Sequence, residues 1–216
     1  MNVYLDESGD LGFNFTAPFR RGGSSRFMTL GFTIAPEPIK SKLRRCVVKT
    51  YNKFNLNPSD EVKGSLLTQN QKLFFISQAG TLLAAHPEIK LGCITVYKQR
   101  VQPHIINDSN KLYNYMLNLG LLPLIVGETT VNLIRDERSV KVKSGNSLAD
   151  YLQTQIYFPF ASACKLRDYP TDSSKCKNLI FVDWICSCIF NHYEDGEYNI
   201  FNRLSPFLSI DKHLYF

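Results

Sequence analysis

What the chain lacks removes several classes of function. None of its six cysteines stands in a Cys-x-x-Cys pair. Neither a zinc knuckle nor a disulfide framework is therefore indicated, and Cys46, Cys93, Cys164, Cys176, Cys186 and Cys188 read mostly as reduced core residues. No apolar run approaches the roughly 20 residues that span a bilayer, and acids at positions 6, 7 and 10 interrupt any signal-peptide core. The expectation is a cytoplasmic protein with no membrane segment. A Gly-rich phosphate loop ending in Lys-Ser/Thr is missing, as is a Gly-x-Ser-x-Gly elbow. The four histidines, His86, His104, His192 and His213, are isolated and read as surface or capping residues. There is no repeat, low-complexity tract or dense Lys/Arg block.

What is present is a globular composition, 44% apolar with 15 Phe and 11 Tyr in 216 residues. That is enough for one sizeable core and too little for two comfortable ones. The reading is a single domain over 1–216, with a C-terminal tail from about 193 to 216 docked on it. A formal net charge of +6 favours a polyanionic partner, nucleic acid first among them.

The densest chemistry lies in Asp6-Glu7-Ser8-Gly9-Asp10, three acids in five residues that follow the apolar run Val3-Tyr4-Leu5. With Arg26 to Ile34 as a second β-rich run, this predicts a hairpin that carries Asp6 on its first strand. Period-2 alternation sets Tyr4 and Asp6 on one face and Glu7 on the other. Asp10 reads as a turn residue that bonds backbone, and Asp6 as functional. Farther on, Ile39 to Phe54 predicts a basic amphipathic helix and Asn70 to Ala85 a second helix. Ile89 to Tyr97 predicts a strand buried on both faces. A helix is expected from Asn110 to Val126, capped at Asn107-Asp108-Ser109. A strand from Thr129 to Ile134 ends at Arg135-Asp136-Glu137-Arg138, which places a second carboxylate at a strand terminus. Asn146 is the expected cap of a helix reaching Pro159, and Asp150 in its first turns suits the helix dipole. A short strand is expected at Ala161 to Leu166, followed by a polar connection from Arg167 to Lys177.

The last main helix, Asn178 to His192, is apolar almost all round and contains a single acid, Asp183. Such a helix is buried, and an ionised carboxylate within it needs a cationic side chain, hydrogen bonds or a metal. Cys186 and Cys188 point to nearly opposite sides and cannot share an ion. Strands and helices alternate through the second half, which predicts an α/β fold around a mixed sheet. Acids at strand ends and on one flanking helix, namely Asp6, Asp136 and Asp183, are the donors that Mg²⁺ or Mn²⁺ requires. Two such ions about 4 Å apart serve phosphodiester cleavage.

Tyr4-x-Asp6-Glu7-Ser8-Gly9, Glu61-x-Lys63-Gly64-Ser65, Asp136 after an apolar strand, and Asp172-Ser173 before the helix with Asp183 together resemble the bacterial and phage family called domain of unknown function 3800. The resemblance runs along nearly the whole chain, to Leu214-Tyr215-Phe216. It implies a ribonuclease H-like fold, a mixed sheet flanked by helices, with Asp6, Asp136 and Asp183 as metal ligands. Glu61 would be a further acid of the catalytic site, and Lys63 would face a phosphate of bound nucleic acid. Ile180 stands where the family has Gln. The leading expectation is a metal-dependent nuclease or phosphodiester hydrolase. The alternative is a non-catalytic nucleic-acid or protein-binding module of the same fold. A phosphoaspartyl phosphatase built on Asp6 is weaker, because Ser8 occupies the position where a second Asp is needed.

Overall fold

The computed structural model describes residues 1–106, 109–137 and 148–216. The predicted hairpin is formed by β1 (Asn2–Ser8) and β2 (Phe27–Ala35), paired antiparallel so that Asp6 faces Gly31 across the ladder. After α1 (Ser41–Lys53) and α2 (Gln69–Ala85), β3 (Lys90–Tyr97) adds antiparallel to β2. The short α3 (Pro103–Ile106), then α4 (Ser109–Gly120) and α5 (Leu122–Ile125), lead to β4 (Thr130–Asp136), which lies parallel to β1. After α6 (Leu148–Tyr157) comes β5 (Lys165–Thr171), parallel to β4. The chain ends with α7 (Lys177–Asp195), α8 (Tyr198–Leu204) and β6 (Leu208–Leu214), the last parallel to β3. The strand order is β5-β4-β1-β2-β3-β6. The α/β fold expected from the sequence, a mixed sheet flanked by helices, is the one the chain adopts.

Alternation along the strands divides the core. Val3 and Leu5 of β1, Met28, Leu30, Phe32 and Ile34 of β2 and Ile94 and Val96 of β3 pack against α4, α5 and α6. Tyr4, Ala35, Leu91 and Cys93 face the other layer, which holds α1, α2, α7 and α8. On that second face the middle of β2 presents only small side chains, Thr29, Gly31 and Thr33. The small surface lets α7 descend onto the sheet. Cys186 lies directly over Gly31, and its thiol donates to the carbonyl of Thr29 at 3.3 Å.

Several expectations need correction. The first part of the polar stretch after Leu166, read as a connection, is β5, which runs on to Thr171, and part of the docked tail is β6. Both are edge strands whose side chains alternate between exposed and half-buried. They lack the continuous apolar signal of an inner strand, and Pro170 is tolerated because an edge position need not donate on both sides. The helix expected from Asn110 to Val126 breaks after Gly120, because Pro123 near the start of α5 has no N–H to continue it. The expected caps at Asn107, Asp108 and Asn146, and Arg138, lie outside the described residues. Among the described residues, no helix is long and apolar enough to cross a membrane.

A methyl group added at Gly31 would fall 2.9 Å from Cys186 Cβ and 3.3 Å from its Cα. Since the neighbour is a helix rather than a flexible side-chain end, Gly31→Ala should destabilise the protein by about 1–3 kcal/mol, the usual cost of overpacking. The check is equilibrium denaturation, where the midpoint should fall while the slope stays unchanged.

Candidate active site

The acids converge because of strand parity and strand direction. Tyr4 pairs with Ile134 in the parallel β1–β4 ladder. Asp6 and Asp136 therefore stand two residues further along each strand, at the same carboxyl end and on the same face as Tyr4 and Ile134. That face is covered by α7, where Asp183 lies one turn before Cys186. The carboxyl ends of parallel strands are where ligands bind in open α/β sheets.

Asp183 is held by the segment between α1 and α2. The Gly64 N–H donates to Asp183 Oδ2 at 2.9 Å. A side chain at Gly64 would bring its Cβ within 2.6 Å of Ser187 Cβ and 3.0 Å of Trp184 Cα. Only glycine lets this backbone lie against α7. The indole N–H of Trp184 donates to the Val62 carbonyl at 2.7 Å, and the Tyr51 ring stacks on the Trp184 ring at 5.8 Å. Together these contacts fix Glu61, Lys63 and Gly64 beside the acids.

Glu61 and Lys63 form an ion pair. The Ser173 hydroxyl lies 2.7 Å from Glu61 Oε1 and 3.3 Å from Asp136 Oδ2. Having one proton, it donates to only one of them at a time. The network joins the loop before α2, the end of β4 and the turn before α7. All five residues expected from the sequence, Asp6, Glu61, Lys63, Asp136 and Asp183, thus share one electrostatic neighbourhood.

The electrostatics are those of crowded carboxylates. Burial, then the charges of Asp183 and Glu7, push the Asp6 carboxyl well above its ordinary range, against a 2.9 Å hydrogen bond from the Glu7 N–H and the charge of Lys63. Asp183 is pushed upward as well, first by burial and also by Glu61 and Asp136, while Gly64 and Lys63 oppose the shift. Glu7 points to the opposite face, as alternation requires, and its Oε2 accepts from the buried Tyr113 hydroxyl at 3.3 Å. Burial, followed in smaller part by the charge of Asp136, raises its pKa to about 7.

Sequence reasoning did not identify Glu7, Ser173 or Gly64 as site residues. Glu7 belongs because β1 stops one residue later, at Ser8, so both faces of its last turn open onto the strand ends. Asp10 has the turn role expected of it. It accepts from the Ser25 and Gly12 amides at 2.7 Å each and pairs with Lys98 at 3.2 Å. His192 packs in an aromatic cluster with Tyr193, Tyr198 and Phe201, apart from the acids.

Among the described residues, no three Asp, Glu, His or Cys side chains are arranged closely enough to grip an ion. The donor chemistry nonetheless fits a hard divalent cation. The acids offer only carboxylate oxygens, and their raised proton affinity comes partly from mutual repulsion that a cation would relieve.

A carboxyl whose pKa is higher in the folded chain than in the unfolded one holds its proton more tightly when folded. The resulting stabilisation is full at acid pH, below the unfolded value of about 4, and is lost as pH rises through the folded value, about 7 for Glu7. Without divalent ions, the melting temperature should therefore fall by several degrees between about pH 5 and pH 8. Asp6→Asn and Glu7→Gln should each flatten that slope in thermal scans.

No family model and no curated relative matches the chain. Among solved structures it is similar to "Crystal structure of the ribonuclease H2 from Pyrococcus horikoshii OT3", at 12% identity and a TM-score of 0.48, over 91% of this chain and 73% of that one. A likeness so distant carries no weight for activity.

Proposed function

We propose that this protein is a divalent-metal-dependent phosphodiesterase that cleaves nucleic acid. The observation that carries the reading is the convergence of Asp6, Asp136, Asp183 and Glu61, from two strand ends, a buried helix and a loop, into one partly shielded cluster. Keeping several carboxylates together is costly for folding, and a purely structural role gives no reason to tolerate it. The resemblance to domain of unknown function 3800 points the same way, and kinship with that family is part of the proposal.

Asp6, Asp136 and Asp183 would hold Mg²⁺ or Mn²⁺. When bound, such an ion supplies Lewis acidity toward a phosphate oxygen and toward water. The remaining steps fall to the chain's own groups. Lys63 sits at the mouth of the cluster and balances the charge of an incoming phosphate. Ser173 orients Glu61 and Asp136. Glu7, on the opposite face of β1 against Tyr113, adds negative charge behind Asp6. The excess of basic residues, +6 overall, favours a polyanionic substrate.

A second reading, a nucleic-acid-binding module without turnover, is favoured by one observation. Lys63 already pairs with Glu61 and lies within electrostatic reach of Asp6 and Asp183, so a side-chain cation supplies part of the charge that a metal would.

The two readings separate in one assay. Incubated with labelled single-stranded, duplex and hybrid nucleic acids, the protein should cut at least one in Mg²⁺ or Mn²⁺. Asp6→Asn should abolish cutting and leave salt-sensitive binding intact. Binding without cutting by the wild type, in either metal, would establish the module instead. In parallel, Mn²⁺ should raise the melting temperature of the wild type and leave that of Asp183→Asn unmoved.

A further inference from the structure

Beside the acid cluster, a cavity of about 430 Å³ opens between the β1–β2 connection and the C-terminal half of α7. Lys63 and Asp183 are among its lining residues, so it is continuous with the candidate active site. Its outer wall is aromatic. Phe190 of α7 and Phe19 of the connection meet edge to face at 5.9 Å, and the Arg20 guanidinium lies 4.9 Å over the Phe19 ring. Ser187 and Asn191, one and two turns beyond Asp183 on α7, place hydrogen-bonding groups in the same wall. The volume lies within the 300–1,000 Å³ range usual for small-ligand sites.

The wall is built rather than draped. Buried Lys98 donates to the carbonyls of Asp10 and Gly12 at 2.7 and 2.9 Å, which pins the start of the connection. Its tip is pinned where Arg20 makes a two-pronged ion pair with Asp195, both bonds 2.9 Å. Its end is held by Glu194, whose carboxylate accepts from the Phe27 N–H at 3.0 Å. Gly9, at φ +90°, lets the chain turn away from β1 where a Cβ would lie 2.6 Å from the Phe27 carbonyl and 2.9 Å from the Phe190 ring. A half-buried phenylalanine on a connection tied at three points is a preorganised stacking surface.

We infer that this cavity seats one unpaired nucleobase, stacked on Phe19, of a nucleic acid whose backbone crosses the acid cluster. The inference rests on the proposed nucleic-acid reading and narrows it to substrates that are single-stranded, or that present an unstacked nucleotide, at the cleavage point. A flat ring against an aromatic wall, with Lys63 beside the acids for phosphate, matches the way single strands are bound without strict sequence preference. A fully paired base cannot enter a pocket that lies beside its own backbone without leaving the helix.

The test uses a single-stranded oligonucleotide carrying a fluorescent purine analogue, titrated with the full chain in metal-free buffer. Stacking should quench the fluorescence. Phe19→Ala should weaken binding about tenfold, Phe19→Trp should restore it, and the perfectly paired duplex of the same sequence should bind at least about tenfold more weakly. Phe19 lies on a connection and outside both core clusters, so these variants leave the core intact. Equal affinity for wild type and Phe19→Ala, an unquenched signal, or equal affinity for the duplex would each overturn the pocket assignment. Quenching retained by Asp6→Asn supports the pocket independently of catalysis. Quenching without any cutting keeps the pocket and removes the nuclease, and cutting without quenching does the reverse.

Discussion

Everything at the candidate site depends on how closely α7 lies against the sheet. The approach is possible because the α7-facing side of β2 is small, with Gly31 beneath Cys186. It is matched on the outer side of the helix by Gly64, whose backbone reaches Ser187 and Trp184 and donates to Asp183. Two glycines on opposite sides of one helix therefore set the depth at which Asp183 sits. A helix carried a side chain's thickness further out would weaken the repulsion that Asp183 exerts on Asp6.

That proximity is costly. Burial first, then Asp183 for Asp6 and Glu61 and Asp136 for Asp183, raise the proton affinity of these carboxyls, and Glu7, behind the strand, is raised chiefly by its own burial. Among the described residues, several groups offset this repulsion. One amide serves Asp183, one serves Asp6, one hydroxyl is shared between Glu61 and Asp136, and one lysine lies among them. Groups held at a high electrostatic level in an accessible crevice mark functional positions more often than structural ones. The same field that disfavours the ionised acids favours any cation brought to them.

The wall of the adjoining cavity depends on different physics. It is a long connection between adjacent antiparallel strands, and left alone it would pay heavily in entropy to stay ordered. Lys98, Asp195 and Glu194 each tie it to an element that is already rigid. Lys98 does so with a fully buried ammonium, which survives burial because two carbonyls and a carboxylate surround it.

Local pattern determined much of this protein. Alternation in Val3 to Asp6 named the face of β1 that carries Asp6, and the all-apolar character of Leu179 to Phe190 announced a buried helix with one acid that needed partners. The central strands β2 and β3 were legible because both their faces are buried. The edge strands β5 and β6 were not, since a strand covered on one side, with polar residues on the other, has the composition of a loop until its partner is known. Tertiary structure alone decided which acids meet. That Asp136 lies level with Asp6 is a matter of parallel register, and that Gly64 and Ser173 serve the acids is a matter of contacts more than 100 residues and 37 residues apart in the chain. Such pairings leave no periodic trace, because they are set by how closely layers pack and not by what any one segment prefers.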